Sequence, residues 1–261
     1  MSYRERYEQW LNDEFFDEAT RRELKSITDE KEIEDRFYRD LEFGTGGLRG
    51  VMGAGTNRMN KYTVGKATAG LGKYLLDTYG AEACKNRGVV IGYDTRNNSE
   101  FFSRTAANVL SGMGIRVYLH AHARPTPQLS FSVKFWNALA GVVVTGSHNP
   151  KEYNGYKAYW DDGAQVLAPH DKGIIDEVNK ITSAADIKFR GNSDAGLIQI
   201  VGEDIDKPYL EKVKTISIDP EAIAHQKDMK IVYTPIHGTG MMLIPRALKM
   251  WGFENVHTVP E

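Results

Sequence analysis

The sequence predicts an α/β fold built on a largely parallel central sheet, and three observations support that prediction. Short apolar segments alternate with amphipathic helical segments between residues 88 and 160, with short connections between them. Residues 139–144 are apolar throughout, which is typical of a strand buried on both faces of a sheet. The same alternation returns at residues 230–259, which indicates the start of a second, similar α/β unit.

The first 42 residues are dense in charge and predict amphipathic helices. Apolar side chains recur at the spacing of one helical face, first near the N-terminus and again in a second helix from about residue 29. We interpret these side chains as core: Tyr7, Trp10, Leu11, Ile33, Phe37 and Leu41. Residues 43–55 follow, and they contain too many glycines for a regular element.

The predicted elements of the main domain follow in order. They are a helix over residues 63–79 ended by Gly80, a strand over 88–93, a helix over 98–112, a strand over 116–120, a helix over 126–137, and strands over 139–144 and 154–160. After residue 168 we expect a helix to about residue 182, and then short strands within 184–201.

A composition shift near residues 202–208 marks a domain boundary. The chain therefore divides into a helical segment (1–42), a main α/β domain (43–202) and an incomplete second α/β domain (203–261). The last of these contains a predicted helix over 208–216, a strand over 230–234, a helix over 241–251 and a strand over 255–259. Because no covering helix follows the final strand, we expect this chain to be the first part of a longer protein.

Composition narrows the class of protein. Of the 261 residues, 41% are hydrophobic and 26% are charged, and the formal net charge of −2 gives no reason to expect nucleic acid or an anionic membrane as a partner. The N-terminus lacks the apolar region of a signal peptide, and no apolar run is long enough to span a bilayer. Cys84 has no second cysteine to pair with, so we interpret it as structural. We expect a cytoplasmic enzyme or binding protein.

The strongest site candidate is Thr-Gly-Ser-His-Asn-Pro at residues 145–150, directly after an apolar strand. Ligands of open α/β sheets sit beyond the carboxyl ends of the strands, so Ser147 lies on a loop where active residues belong. Gly146 permits a tight turn, and His148 and Asn149 offer polar groups to phosphate oxygens. Taken alone, a plain polar turn explains the segment equally well.

Four further segments break this tie. Together with the serine segment they resemble, in the same order, the motifs of the α-D-phosphohexomutases: residues 43–50, 92–96, 124–127, 145–150 and 153–157. Gly146 stands where the family usually has alanine, and Gly46 where it commonly has serine. The resemblance implies the first domain of that family, a mostly parallel mixed sheet flanked by helices, followed by the start of a similar second domain.

The resemblance also implies a reaction, that of a phosphosugar mutase, an isomerase of carbohydrate metabolism. Ser147 would carry a phosphoryl group, give it to a sugar phosphate to form a bisphosphorylated sugar, and take back the other phosphoryl group. The reaction interconverts the 1-phosphate and 6-phosphate of a hexose, or the 1-phosphate and 5-phosphate of a pentose. A serine hydroxyl is a weak nucleophile, so it needs a nearby base or metal.

Three residues receive implied catalytic roles beside the serine. Arg49 contacts the phosphoryl group as a charged fork. Lys157 does the same and is the better candidate for proton transfer at the sugar hydroxyl, because cationic neighbours can lower the pKa of a lysine, whereas arginine keeps its proton. His148 is a weaker acid–base candidate.

Four residues are expected to bind the substrate or its phosphate: Thr145, Asn149, Arg96 and Arg124. The two arginines have a structural alternative that the sequence leaves open. Arg96 follows Asp94 closely and can pair with it, and Arg124 precedes a proline and can cap its loop. A small-molecule sugar phosphate is the expected partner.

The family binds Mg²⁺ through the phosphoserine and an Asp-Gly-Asp-x-Asp-Arg loop of its second domain, and oxygen ligands suit that ion. This chain has no such loop, because Asp204 and Asp206 lack the glycine and the third aspartate. We expect Ser147 to bind the metal through its phosphate, the aspartate ligands to lie beyond Glu261, and residues 1–261 alone to be inactive. Glucose 1,6-bisphosphate is the implied activator.

The sugar is less well determined. The helical N-terminus and residues 159–165 resemble the family branch that acts on phosphoglucose or phosphopentose more than the phosphomannose branch. Conversion of phosphoglucose is therefore the expected activity, with phosphopentose and phosphomannose as alternatives. A non-catalytic regulatory protein on the same scaffold is a further alternative, although the presence of Ser147, Arg49 and Lys157 argues against it.

Overall fold

The computed structural model describes residues 1–44, 46–189 and 196–260. The strands of its main sheet are β1 (Gly47–Val51), β2 (Val89–Tyr93), β3 (Val117–His120), β4 (Ala140–Val144), β5 (Tyr153–Trp160) and β6 (Ile198–Val201). They lie in the order β1-β5-β4-β2-β3-β6. β2 is parallel to β4 and β3, and β3 to β6, whereas β5 is antiparallel to β4 and β1. This mixed, mostly parallel sheet confirms the predicted fold class.

The helices that accompany the sheet are α1 (Tyr3–Asn12), α2 (Glu18–Lys25), α3 (Glu30–Phe37), α4 (Lys61–Asn86), α5 (Ser99–Gly112), α6 (Thr126–Phe135) and α7 (His170–Lys180). Side chains of α4, α5 and α7 form the main apolar core on one face of the sheet. Leu129 and Val133 of α6 pack on the other face, against Val90 and Val143. β2 and β4 are buried at every position between these two layers.

The chain continues through α8 (Glu203–Lys214), α9 (Pro220–His225), β7 (Ile231–Tyr233), α10 (Ile244–Trp251) and β8 (Val256–Thr258). β7 and β8 pair in parallel, which matches the expected start of a second α/β unit. None of the residues in β7, α10 and β8 is buried. The domain boundary between residues 202 and 203 stays a prediction. Within the described residues, no helix combines the length and apolar character that crossing a bilayer requires.

The N-terminal segment forms three short helices, not the two that the sequence predicts. The helices begin at Ser2, Asp17 and Asp29, each of which accepts a hydrogen bond from a backbone N–H of the first turn. Each cap therefore begins a separate short helix. α3 ends at Phe37, so the prediction that Leu41 lies on its face is wrong; Leu41 packs against the main core instead.

The sequence predicts no regular element in residues 43–55, and this is wrong because β1 lies there. Gly47 has a φ of 151°, and a Cβ at this position would lie 1.9 Å from the carbonyl oxygen of Tyr156 on β5. The missing side chain lets the two backbones approach and pair. The glycine therefore permits the strand and thereby places Arg49 on the sheet.

The other predicted boundaries differ from the structure by up to three residues, with exceptions in α4 and in α8, which begins five residues before the predicted start at Pro208. Gly80 leaves helical geometry, with φ 79° and ψ 162°, as the sequence predicts. The chain then resumes helical geometry, and α4 runs on to Asn86.

A buried ion pair joins α8 to the segment before α6. Arg124 and Asp206 are 4% and 2% exposed, and Nε and Nη2 of Arg124 donate to the two carboxylate oxygens at 2.8 and 2.6 Å. Gln128 donates to the same carboxylate at 2.6 Å, and Arg246 of α10 lies 3.4 Å from it. Burial alone would raise the pKa of Asp206, but the hydrogen bonds from Arg124 and Gln128 outweigh burial and lower it.

We predict that Gly47→Ala destabilises the fold much more than Gly114→Ala. Both glycines have positive φ, 151° and 83°, so a Cβ at either position adds backbone strain of about 1–2 kcal/mol. At Gly47 the Cβ also collides with a backbone carbonyl, whereas at Gly114 nothing lies within 4 Å. Overpacking costs about 1–3 kcal/mol more. Urea unfolding measures both losses, and equal losses would contradict this account of β1.

A second prediction concerns the buried pair. Arg124→Ala leaves the Asp206 carboxylate buried without its main partner, so the free energy of unfolding at pH 7 should fall by about 3–5 kcal/mol. The control is Arg104→Ala, which removes an exposed pair with Glu100 and should change stability by less than about 1 kcal/mol.

The same pair gives this prediction a pH readout. The pKa of Asp206 is lowered from 3.8 in the folded protein, so its stabilising effect is complete above that value and is lost as pH falls through the folded pKa. The stability difference between wild type and Asp206→Asn should therefore be full at pH 7 and shrink below about pH 4. A difference that grows in acid would contradict the lowered pKa.

Candidate active site

Residues 145–150, here called the serine loop, follow the carboxyl end of β4 directly. Ser147 is exposed and adopts a left-handed backbone conformation, with φ 52°. Its backbone N–H donates to Oγ1 of Thr145 at 2.9 Å. The fold thus places the predicted serine at the tip of a tight turn, with its side chain accessible from solvent.

The carboxylate of Asp94, just beyond β2, anchors the base of the serine loop. Its Oδ2 accepts hydrogen bonds from the hydroxyl of Thr145 at 2.7 Å and from the N–H of Gly146 at 3.2 Å. Its Oδ1 accepts from the hydroxyl of Ser99 at 2.7 Å and from the N–H of Arg96 at 3.0 Å. From the sequence, Asp94 has no expected role beyond pairing with Arg96; its position directly after the apolar strand β2 is the signal that points to it.

The guanidinium of Arg96 lies along the other side of the serine loop. Nη1 donates to the carbonyl oxygens of Pro150 and Tyr153 at 2.5 and 3.0 Å, and Nη2 to those of Ser147 and Asn149 at 3.2 and 2.7 Å. The arginine therefore binds backbone carbonyls and does not pair through its guanidinium with Asp94, which was the alternative left open by the sequence.

Gly146 makes this position of the guanidinium possible. A Cβ on Gly146 would lie 2.0 Å from Nε and 2.4 Å from Cζ of Arg96. Glycine in place of the alanine usual in the family thus has a structural consequence, because it opens the space that the guanidinium occupies.

Arg49 and Lys157 lie on one face of the sheet. In the register of β1 and β5, Lys157 is opposite Gly47 and Arg49 is opposite Gly155, so the two cations are diagonal neighbours on the same face. On its other side, Gly155 accepts from the N–H of Thr145 at 2.9 Å. Arg49, Gly155 and Thr145 therefore form a row across three strands that leads to the serine loop.

The charges of Arg49 and Lys157 have no partner among the residues that the structure describes. Arg49 is exposed and Lys157 is half-buried. Within the part of the chain that the structure describes, neither side chain forms a hydrogen bond or an ion pair. Two such cations, on the pair of strands that meets the serine loop at Gly155, suit an anionic group such as a phosphoryl.

His148 is the nearest titratable partner of the serine. Its Nδ1 lies 3.2 Å from Oγ of Ser147, within hydrogen-bond reach of the hydroxyl. The Oδ1 of Asn149 is buried and has no partner within the described residues. The expected contacts of Asn149 and Thr145 with phosphate stay predictions.

Arg124 is not exposed at the serine loop. Its guanidinium is buried and held by Asp206 in the network described above. This geometry favours a structural role: besides binding Asp206, Nη1 of Arg124 donates to the carbonyl oxygen of Ala123 in its own loop at 2.9 Å, as the structural alternative expected. Nothing in the sequence around Arg124 indicates Asp206 as a partner, because the aspartate is far away along the chain.

The described residues do not offer magnesium a complete set of ligands. Among the described residues, no group of three or more His, Cys, Asp or Glu side chains is arranged to hold a metal ion. Both oxygens of Asp94, the carboxylate at the base of the serine loop, already accept hydrogen bonds. A phosphate on Ser147 would supply one oxygen ligand, whereas Mg²⁺ takes octahedral coordination, so the described residues alone do not fit the ion.

Comparison with known proteins agrees with this geometry. The family model "Phosphoglucomutase/phosphomannomutase, alpha/beta/alpha domain I" matches residues 40–185. A phosphoglucomutase of Staphylococcus haemolyticus is 36% identical over 87% of this chain and 40% of its own length. A human phosphopentomutase is 35% identical over 94% and 40%, and a human glucose 1,6-bisphosphate synthase 37% over 88% and 38%. The chain thus spans about two fifths of these relatives.

Solved structures agree with the sequence comparison. A putative phosphomannomutase from Thermus thermophilus superposes with a TM-score of 0.67 at 27% identity, over 85% of this chain and 46% of that one. The matched family domain, the fold and the shared sequence lead to one conclusion: this chain belongs to the phosphoglucomutase/phosphomannomutase family.

Proposed function

We propose that this chain is the phosphoryl-carrying part of a phosphosugar mutase, an isomerase. The observation that supports this most directly is the exposed hydroxyl of Ser147 on a loop that adjoins the strands of Arg49 and Lys157, whose charges have no partner among the described residues. A phosphoserine brings a charge of about −1.5 to −2 and three acceptor oxygens, which such cations would neutralise. The relatives named above support the same class of reaction.

The proposed first half of the reaction transfers the phosphoryl group to the sugar. A hydroxyl oxygen of the sugar phosphate attacks the phosphorus on Ser147, a new phosphorus–oxygen bond forms, and the bond to Oγ of Ser147 breaks. The sugar hydroxyl loses its proton to a base, for which Lys157 is the first candidate and His148 the second, and the protonated base passes that proton to Oγ of Ser147 as it leaves. The positive charge of Arg49 stabilises the charge spread over the phosphoryl oxygens.

The second half returns a phosphoryl group to the enzyme. The bisphosphorylated sugar turns so that its other phosphate faces Ser147, whose hydroxyl attacks it and gives its proton to the base. The sugar oxygen that leaves takes a proton from the protonated base, so the base and serine return to their starting states. Positioning and charge stabilisation dominate phosphoryl transfer, which is what a fixed loop flanked by cations can supply.

The sugar we propose is phosphoglucose, with glucose 1,6-bisphosphate as the phosphoryl donor that primes Ser147. Relatives named for phosphoglucose, phosphopentose and glucose 1,6-bisphosphate are 34–37% identical to this chain, so identity alone does not choose among them. Phosphopentose and phosphomannose are the alternatives. Parallel assays with glucose, ribose and mannose 1-phosphates would rank the substrates by kcat/KM.

We predict that Ser147→Ala abolishes both mutase turnover and phosphoryl uptake. The protein that contains this chain is incubated with glucose 1,6-bisphosphate, and its intact mass is measured by mass spectrometry. Wild type should gain one phosphoryl group and the variant none. Stability should change by less than about 1 kcal/mol, because Ser147 is exposed. The control is Ser26→Ala, an exposed serine at the end of α2, which should keep both signals. Residual turnover in Ser147→Ala would refute the assignment.

A separate prediction distinguishes the two candidate bases. Lys157→Arg keeps the charge but removes a group that can give up its proton, so turnover should fall about 10²-fold or more. His148→Gln should cost less. Lys73→Arg, on an exposed face of α4, serves as the control. If Lys157→Arg turns over like wild type, Lys157 only balances charge and His148 becomes the base.

A further inference from the structure

Two side chains hold the serine loop from opposite sides, and neither needs a substrate to do so. Asp94 accepts hydrogen bonds from Thr145 and Gly146 at the start of the loop. Arg96 donates to carbonyl oxygens at its tip and beyond its end. We propose that Asp94 and Arg96, here called the clamp, are positioning residues that fix Ser147 for phosphoryl transfer. This inference rests on the proposed function.

Ser147 needs such support because its backbone conformation is unfavourable. A left-handed φ costs a residue with a side chain about 1–2 kcal/mol, and Ser147 has a φ of 52°. Ser147, His148 and Pro150 are exposed, so core packing does not hold the tip of the loop. Hydrogen bonds to the clamp, together with the one from the N–H of Asn149 to the carbonyl oxygen of Gly146, can offset the strain.

The direction of the hydrogen bonds shows how the clamp reaches Ser147. The carboxylate of Asp94 can only accept, so the hydroxyl of Thr145 donates to it at 2.7 Å. That hydroxyl is then free to accept from the N–H of Ser147, at 2.9 Å. Asp94 thus orients Thr145, and Thr145 orients the peptide that carries the serine.

The geometry of Arg96 argues against direct phosphate binding. Its two terminal nitrogens each donate to two carbonyl oxygens, and its Nε lies against Gly146. Among the described residues only its Nε has no acceptor, so a phosphate could bind the guanidinium through two nitrogens only by displacing loop carbonyls. Arg49 and Lys157, in contrast, are free of protein partners within the described residues. We therefore assign neutralisation of the phosphate charge to Arg49 and Lys157, whereas Arg96 acts by holding the serine loop in position.

The test combines amide hydrogen exchange with kinetics, in wild type, Arg96→Ala, Arg96→Lys and Asp94→Asn. We expect exchange at residues 145–149 to be at least about tenfold faster in the variants, with β4 still protected as evidence of folding. Lysine is a point charge that cannot bind several carbonyls in one plane, so Arg96→Lys should not restore protection. Arg104→Ala, an exposed arginine on α5, is the matched control.

Kinetics then separate positioning from substrate binding. A positioning role predicts that kcat falls at least about tenfold while KM stays within about twofold. A raised KM with unchanged kcat and unchanged loop exchange would overturn the proposal, because Arg96 would then bind substrate. Faster exchange with wild-type kcat would also overturn it, since the clamp would hold the loop without serving the reaction.

The outcome also distinguishes this inference from the proposed function. If wild type gains no phosphoryl group and shows no turnover, the proposed function fails, and the positioning role fails with it. The exchange data still decide whether Asp94 and Arg96 hold the loop. If wild type is active and exchange in the variants matches that in wild type, the clamp alone is refuted.

Discussion

The carboxylate of Asp94 joins the serine loop to the segment that connects β2 to α5. Its four hydrogen bonds come from the serine loop, from the start of α5 and from the peptide of Arg96. This meeting follows from topology, because β2 and β4 are parallel neighbours whose carboxyl ends lie at the same edge of the sheet. The register of two buried strands thus determines where the loop starts and, through it, where Ser147 lies.

The elements that could be predicted from the sequence are those whose signal is local. The apolar run 139–144 predicts β4 within one residue, and the periodic segment 98–112 predicts α5 equally well. β1 could not be predicted in this way, because its pairing partner β5 lies far along the chain. By composition, Gly47 indicates a loop. In the fold its missing side chain allows β1 to pair closely with β5.

The site residues also divide into those that a local sequence pattern predicts and those that it does not. Ser147 could be placed because a polar loop after a buried strand is a local pattern, and Arg49 and Lys157 because motifs mark them. The partners of Arg96 are backbone carbonyls, which every residue carries, so no side-chain pattern could mark them. The function of an arginine depends on what faces it, and only the three-dimensional arrangement supplies that.

The buried pair of Arg124 and Asp206 bears on where this chain can be divided. Asp206 lies just past residue 202, where composition alone places a boundary, yet its carboxylate and the side chain of Leu210 are buried. A truncation after residue 202 would leave the charged guanidinium of Arg124 without the carboxylate of Asp206, whereas a truncation after α8 would retain that carboxylate. The cooperative unit of folding therefore extends through α8, and fragments for expression or for calorimetry should end beyond Lys214.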